Sequence, residues 1–107
     1  MDKLRICKEL HAWATSQPSI NRVWLFGSRA RGEAGPDSDL DIALEVVPAY
    51  PDASATDCWF THSSQWRGEL AARFPFRIQL ELLDGMSTPT ISRGIEKSGV
   101  LAYERAT

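Results

Sequence analysis

Apolar positions fall into alternating rhythms along this chain. From Lys3 to Thr15, Leu4, Cys7, Leu10, His11 and Ala14 recur near helical spacing, which predicts an amphipathic helix. Ser16-Gln17-Pro18-Ser19 ends it, because the residue before a proline resists the α region. Arg22 to Phe26 reads as a strand, and Ser28 to Arg31 as a short helical turn that begins at the Gly27-Ser28 corner. Glu33 to Ser38, which holds Gly35-Pro36, is a loop. Leu40 to Val47 is a second strand, closed by Pro48 and Pro51. Ala55 to Phe74 reads as a long helix. Trp59, Trp66 and Leu70 recur at i, i+7 and i+11, Phe60, Ser63 and Ser64 fill between, and Pro75 stops it. Phe76 to Leu83 is a third strand and Asp84-Gly85 a turn. Thr88-Pro89 reads as an N-cap with proline at N1, opening a helix to Lys97. Gly99 ends that helix before a last short strand, Val100 to Tyr103. This order predicts an α+β fold, a small mixed β-sheet backed by helices.

Composition narrows the class. A chain of 107 residues is read as one domain with a modest core. No apolar run approaches the ~20 residues of a membrane span, and no charged-then-apolar leader opens the sequence. Cys7 and Cys58 stand apart, without C-x-x-C spacing, and read as reduced thiols in a cytoplasmic protein. The net charge of −2 argues against a long nucleic-acid substrate, which calls for a basic face.

The segment Val23 to Leu44 carries the chemistry. An apolar run ends at Gly27-Ser28, and Asp39 and Asp41 open the next one. Alternate strand residues share a face, so the two carboxylates project side by side, roughly 6–7 Å apart. Like charges that close repel unless a cation lies between them. Oxygen ligands of this kind suit Mg²⁺, which completes its shell with water and substrate phosphate. A Gly-Ser turn offers backbone N–H groups and a hydroxyl to phosphate oxygens. A P-loop is excluded, because Glu33 stands where the lysine is needed. Arg29 and Arg31 suit phosphate, and equally suit surface pairing with Glu33 or Asp37. His11 and His62 lack clustered partners and read as structural or exposed. Trp24 reads as core, and Trp59 and Trp66 as core ahead of an exposed partner surface.

Gly27-Ser28-Arg29-Ala30-Arg31-Gly32 followed by Ser38-Asp39-Leu40-Asp41 resembles the signature of the DNA polymerase beta-like nucleotidyltransferases, and most closely the minimal nucleotidyltransferases. The resemblance implies the nucleotidyltransferase fold over residues 1–107 as a single domain. It implies transfer of a nucleoside monophosphate, AMP from ATP, to a hydroxyl acceptor. Catalytic Asp39 and Asp41 would hold two Mg²⁺ ions, and Gly27, Ser28, Arg31 and Ser38 would bind the nucleotide. The family's third carboxylate lies on a later strand, here Arg77 to Asp84. Its aligned position is Gln79, a neutral amide, so Glu81, two residues on and on the same face, is the candidate third catalytic and metal-binding acid.

With little beyond a catalytic core, the acceptor would be held by a partner protein or a second copy of the chain, or would be the partner itself. Minimal members resembling this chain work beside a small helical HEPN-domain protein as antitoxins that add AMP to it. The competing class is a non-catalytic nucleotide-binding or antitoxin-type subunit. Gln79 favours it, and the intact Ser38-Asp39-Leu40-Asp41 opposes it.

Overall fold

The computed structural model describes residues 1–47 and 53–106. Among these described residues, four helices and four strands follow in the order α1 (Lys3–Thr15), β1 (Ile20–Phe26), α2 (Gly27–Arg31), β2 (Leu40–Val46), α3 (Ala55–Arg73), β3 (Ile78–Leu82), α4 (Pro89–Ser98) and β4 (Val100–Glu104). The strands form one mixed sheet in the order β3-β2-β1-β4. β1 runs antiparallel to both β2 and β4, while β2 and β3 are parallel, joined through α3. The expected elements are all present. The closure of β2 by Pro48 and Pro51 lies outside the described residues. β3 is shorter than Phe76–Leu83, and a 3₁₀ turn over Gly85–Ser87 stands at the expected Asp84-Gly85 turn.

Local chemistry explains the element ends. The Asp2 side chain accepts from Arg5 N–H and caps α1. Ser54 and Asp57 form a reciprocal capping box at α3. Thr88 occupies the N-cap position of α4 with Pro89 at N1, but its hydroxyl turns back to accept from Asp84 N–H instead of capping the helix.

Leu40, Ile42 and Leu44 of β2 are fully buried on one face of the sheet. Val23 and Leu25 of β1 join them there, with Ile6, Leu10 and Trp13 of α1 and Trp66 and Leu70 of α3. Burying each such side chain stabilises the fold by about 1.5–3 kcal/mol. The helix faces differ in detail from the expected stripes. Leu4 is 65% exposed and His11 is exposed, because the buried stripe of α1 runs Ile6-Leu10-Trp13-Ala14. On α3, Phe60 is 76% exposed and Ser64 is exposed, Ser63 and Trp66 are buried, and Trp59 is half-buried.

Trp24 is not in this core. It points to the opposite face, where it is half-buried and its indole N–H donates to Glu45 at 2.8 Å. That opposite face carries Asp41, Ala43 and Glu45 of β2, with Trp24 and Phe26 of β1 across from them. α4 crosses it at one end, where Gly94 packs against the Phe26 ring. The rest of that face is where the polar chemistry gathers.

Candidate functional site

The end of β1 turns at Gly27 into α2, and Gly27 adopts φ +74°, a region that favours glycine. The turn brings the α2 N-terminus over the neighbouring strand. A Cβ at Gly27 would overlap Asp41 Oδ2 and lie 2.9 Å from its Cγ. The Asp41 carboxylate therefore rests directly on the Gly-Ser corner, in space that only glycine leaves open. Asp39, two residues earlier, precedes the first residue of β2, and its Oδ1 accepts from Arg77 Nε at 2.8 Å.

Electrostatics at Asp41 match this packing. Burial pushes its carboxyl above the ordinary aspartate range, and the charge of Asp39 pushes it further. Arg31 opposes the shift and Glu81 adds to it. Arg31 itself pairs with Glu33 at 2.9 Å, one of the two surface partners expected for it.

The loop between α2 and β2 is braced from inside. Arg29 donates to Ser38 O through Nε at 3.2 Å and through a terminal nitrogen at 2.7 Å. Its guanidinium also lies 3.6 Å from the centre of the Phe76 ring. The Ser38 hydroxyl accepts from Gly35 N–H at 3.0 Å. Arg29 thus joins α2, the loop and the approach to β3, which fixes the chain just before Asp39. Sequence reasoning had no signal for these carbonyl contacts, which depend on tertiary placement.

The parallel register of β2 and β3 decides where the third acid could stand. Asp41 pairs with Gln79, and Ala43 pairs with Glu81. The neutral amide is beside Asp41, and Glu81 is one pleat further along, where Gln79 Nε2 donates to it at 3.0 Å. Glu81 also lines a cleft of about 280 Å³ at the β3 edge, with Trp59, Arg67, Thr88 and Pro89. The structure brings Asp39, Asp41, Gly27 and Ser28 together at one corner and holds Ser38 in the adjoining loop. Among the described residues, no three Asp, Glu, His or Cys side chains gather into a group that could hold one ion. Arg77 was missed by sequence reasoning. The signal was present, since Arg77, Gln79 and Glu81 alternate along the approach to β3 and along the strand.

The donor set can be compared with the two ions expected for this site. Asp39 and Asp41 offer two carboxylates near enough for the charge of one to act on the other, a repulsion that a cation relieves, and this fits one divalent ion. A second ion would need a further anionic ligand beside them, and the position across from Asp41 holds an amide.

The family model described as "Polymerase beta, Nucleotidyltransferase" matches residues 8–107. The chain belongs to this family. It is a nucleotidyltransferase, and nucleoside monophosphate transfer is the general activity of that class. No curated protein sequence matches it. Among solved structures, a chain of a toxin–antitoxin crystal structure with AMP-PNP superposes with a TM-score of 0.67 at 20% identity, covering 98% of this chain and 75% of that one. A toxin–antitoxin MntA-HpeT variant with two Asp-to-Glu substitutions gives a TM-score of 0.64 at 19% identity, covering 98% and 75%. A proposed nucleotidyltransferase from Sulfolobus solfataricus gives 0.51 at 23% identity, covering 94% and 78%. At these identities the likeness is one of fold. Among the described residues, no helix of this nucleotidyltransferase is long and apolar enough to cross a membrane.

Proposed function

We propose that this nucleotidyltransferase moves AMP from ATP to a hydroxyl of a partner protein, the new ester bond forming as the α–β phosphoanhydride breaks and pyrophosphate leaves, with the nucleotide held at the Gly27-Ser28 corner and Mg²⁺ held by Asp39 and Asp41. The observation that carries the reading is the Asp41 carboxylate lying on Gly27, with Asp39 beside it. Phosphate oxygens approaching the half-buried backbone of that corner would meet the ion-binding carboxylates at once. Bound there, Mg²⁺ would offset phosphate charge and polarise the oxygens of the displacement.

The chain's own residues supply the rest. Gly27 leaves room for close backbone approach, and Ser28 offers its hydroxyl and N–H to phosphate oxygens. Arg31, already near enough to act on Asp41, adds positive charge to the corner. Ser38 keeps the loop closed beside the nucleotide. Glu81, on the same strand face, is the group for accepting the acceptor hydroxyl's proton. The acceptor is held by another chain, a small helical HEPN-type partner or a second copy. The fold likeness to toxin–antitoxin structures, one of them with AMP-PNP, supports a protein partner and an adenine nucleotide. Cys7 and Cys58, both free thiols, support a reducing, cytoplasmic setting.

Calorimetry with ATP, with and without Mg²⁺, on the parent, Asp39→Asn and Asp41→Asn tests the site. Metal-dependent binding lost in both variants is expected, and equal binding in every case would overturn the reading.

A second reading has its own observation. Gln79 opposite Asp41 favours a subunit that binds nucleotide and masks a partner without catalysis. Incubation with α-labelled ATP, Mg²⁺ and the product of the neighbouring gene separates the two. Label on the partner supports transfer, and nucleotide binding without labelling supports the subunit.

A further inference from the structure

β3 and the residue before it present three side chains toward the candidate site, and their charges run positive, neutral, negative: Arg77, Gln79, Glu81. The amide pairs with Asp41. The guanidinium is on Asp39 at 2.8 Å, although the Arg77 side chain is 79% exposed and free to seek water. An exposed pair of this kind contributes little to stability. Its significance is electrostatic and local. Asp39, Asp41 and Arg77 together carry one net negative charge, which a single divalent cation more than neutralises. A second dication at this corner would face the guanidinium and the first ion with no added carboxylate beside Asp41.

We propose that this site takes a single divalent ion with the triphosphate, and that the Arg77 guanidinium supplies the second positive charge on Asp39. This rests on the nucleotide-site reading given above. Arg77 is then a positioning residue. It holds the Asp39 carboxylate in place before nucleotide arrives, and it replaces an ion whose third ligand this chain lacks.

Counting bound Mn²⁺ by electron paramagnetic resonance, with α,β-methylene-ATP as the probe nucleotide, tests the idea without turnover. The parent should bind one Mn²⁺ per chain. Arg77→Lys should also bind one, because the charge is kept. Arg77→Gln combined with Gln79→Asp should bind two, since the cation is removed and an acid is restored. In the absence of nucleotide, Arg77→Gln alone should bind Mn²⁺ about tenfold more tightly, the effect of removing one nearby positive charge in a water-like medium. That single variant changes only an exposed side chain and decides the matter if the double variant does not fold. Two Mn²⁺ on the parent, or unchanged Mn²⁺ affinity in Arg77→Gln, would overturn the proposal while leaving the nucleotide site standing. Absence of any Mn²⁺-dependent nucleotide binding by the parent would overturn both.

Discussion

At Asp41, packing and charge act in the same direction. The carboxylate is pressed onto Gly27 and faces the charge of Asp39, so the folded protein holds its proton more tightly than the unfolded chain. Ionisation therefore opposes folding. The stability contribution is full below the ordinary aspartate pKa and is lost as pH rises through the higher folded value. Without metal, Asp41→Asn should melt higher than the parent at pH 7, and the gap should close as pH falls below the aspartate range. Calorimetric melts from pH 3 to 8 check this, and added Mg²⁺ should raise the parent only. Glu81 gives a kinetic prediction. Glu81→Gln should lower the transfer rate by about 10²–10⁴-fold and spare nucleotide affinity, because the group is assigned to the acceptor hydroxyl. Gln79→Asp should keep or raise the rate. Single-turnover assays with labelled ATP read both, and an unchanged rate in Glu81→Gln would remove that residue from the chemistry.

At the scale of elements, the glycine that opens α2 and the one that caps its end make a controlled comparison. Gly27 and Gly32 both have φ +74°. A Cβ at Gly32 meets nothing within 4 Å, while one at Gly27 meets Asp41. Gly32→Ala should therefore cost only the backbone strain, about 1–2 kcal/mol. Gly27→Ala should cost more and should also displace Asp41, abolishing metal-dependent nucleotide binding. Urea denaturation and calorimetry on the pair separate strain from site disruption. Equal effects on ATP binding would show that Asp41 need not rest on the corner. The Gly-Ser corner and the strand of acids were both legible in the sequence. Their contact across adjacent strands was not, since it depends on the antiparallel register that sets Phe26 against Asp41.

Over the whole molecule, the two helices on the core face are tied together at Glu69. It accepts from Trp13 Nε1 at 2.9 Å and Gln17 Nε2 at 3.0 Å, and from Gln65 of its own helix at 2.9 Å. Hydrogen bonds from Gln65 and Trp13 hold its carboxyl below the ordinary glutamate range. This contribution is present above the unfolded glutamate pKa and is lost as pH falls through the folded value. Glu69→Ala should cost about 1 kcal/mol at neutral pH, discounted for solvent exposure. Glu69→Gln keeps an acceptor oxygen but cannot titrate, so its acid limb should be flatter than the parent's. Melts between pH 3 and 7 distinguish this from the Asp41 variant, whose change runs the opposite way.

The element order, the α+β class and the pair of acids behind a Gly-Ser turn can all be read from the order of residues alone. These follow from short-range causes: apolar spacing, proline and glycine at element ends, and side-chain alternation along a strand. That order also identified the family, because the motif is confined to one local segment. Which face each element turns inward depends instead on its neighbours in the fold. Leu4 and Phe60 lie in helical apolar stripes yet face solvent, because the stripe that packs is the one opposite a strand, and spacing alone admits more than one. Trp24 reads as core on hydrophobicity but lies on the chemical face, where Glu45 satisfies its N–H. The sheet register placed Gln79 and not Glu81 beside Asp41, and set Arg77 against Asp39. Register between strands separated by a long helix is fixed by how that helix packs, and no local pattern of residues encodes it.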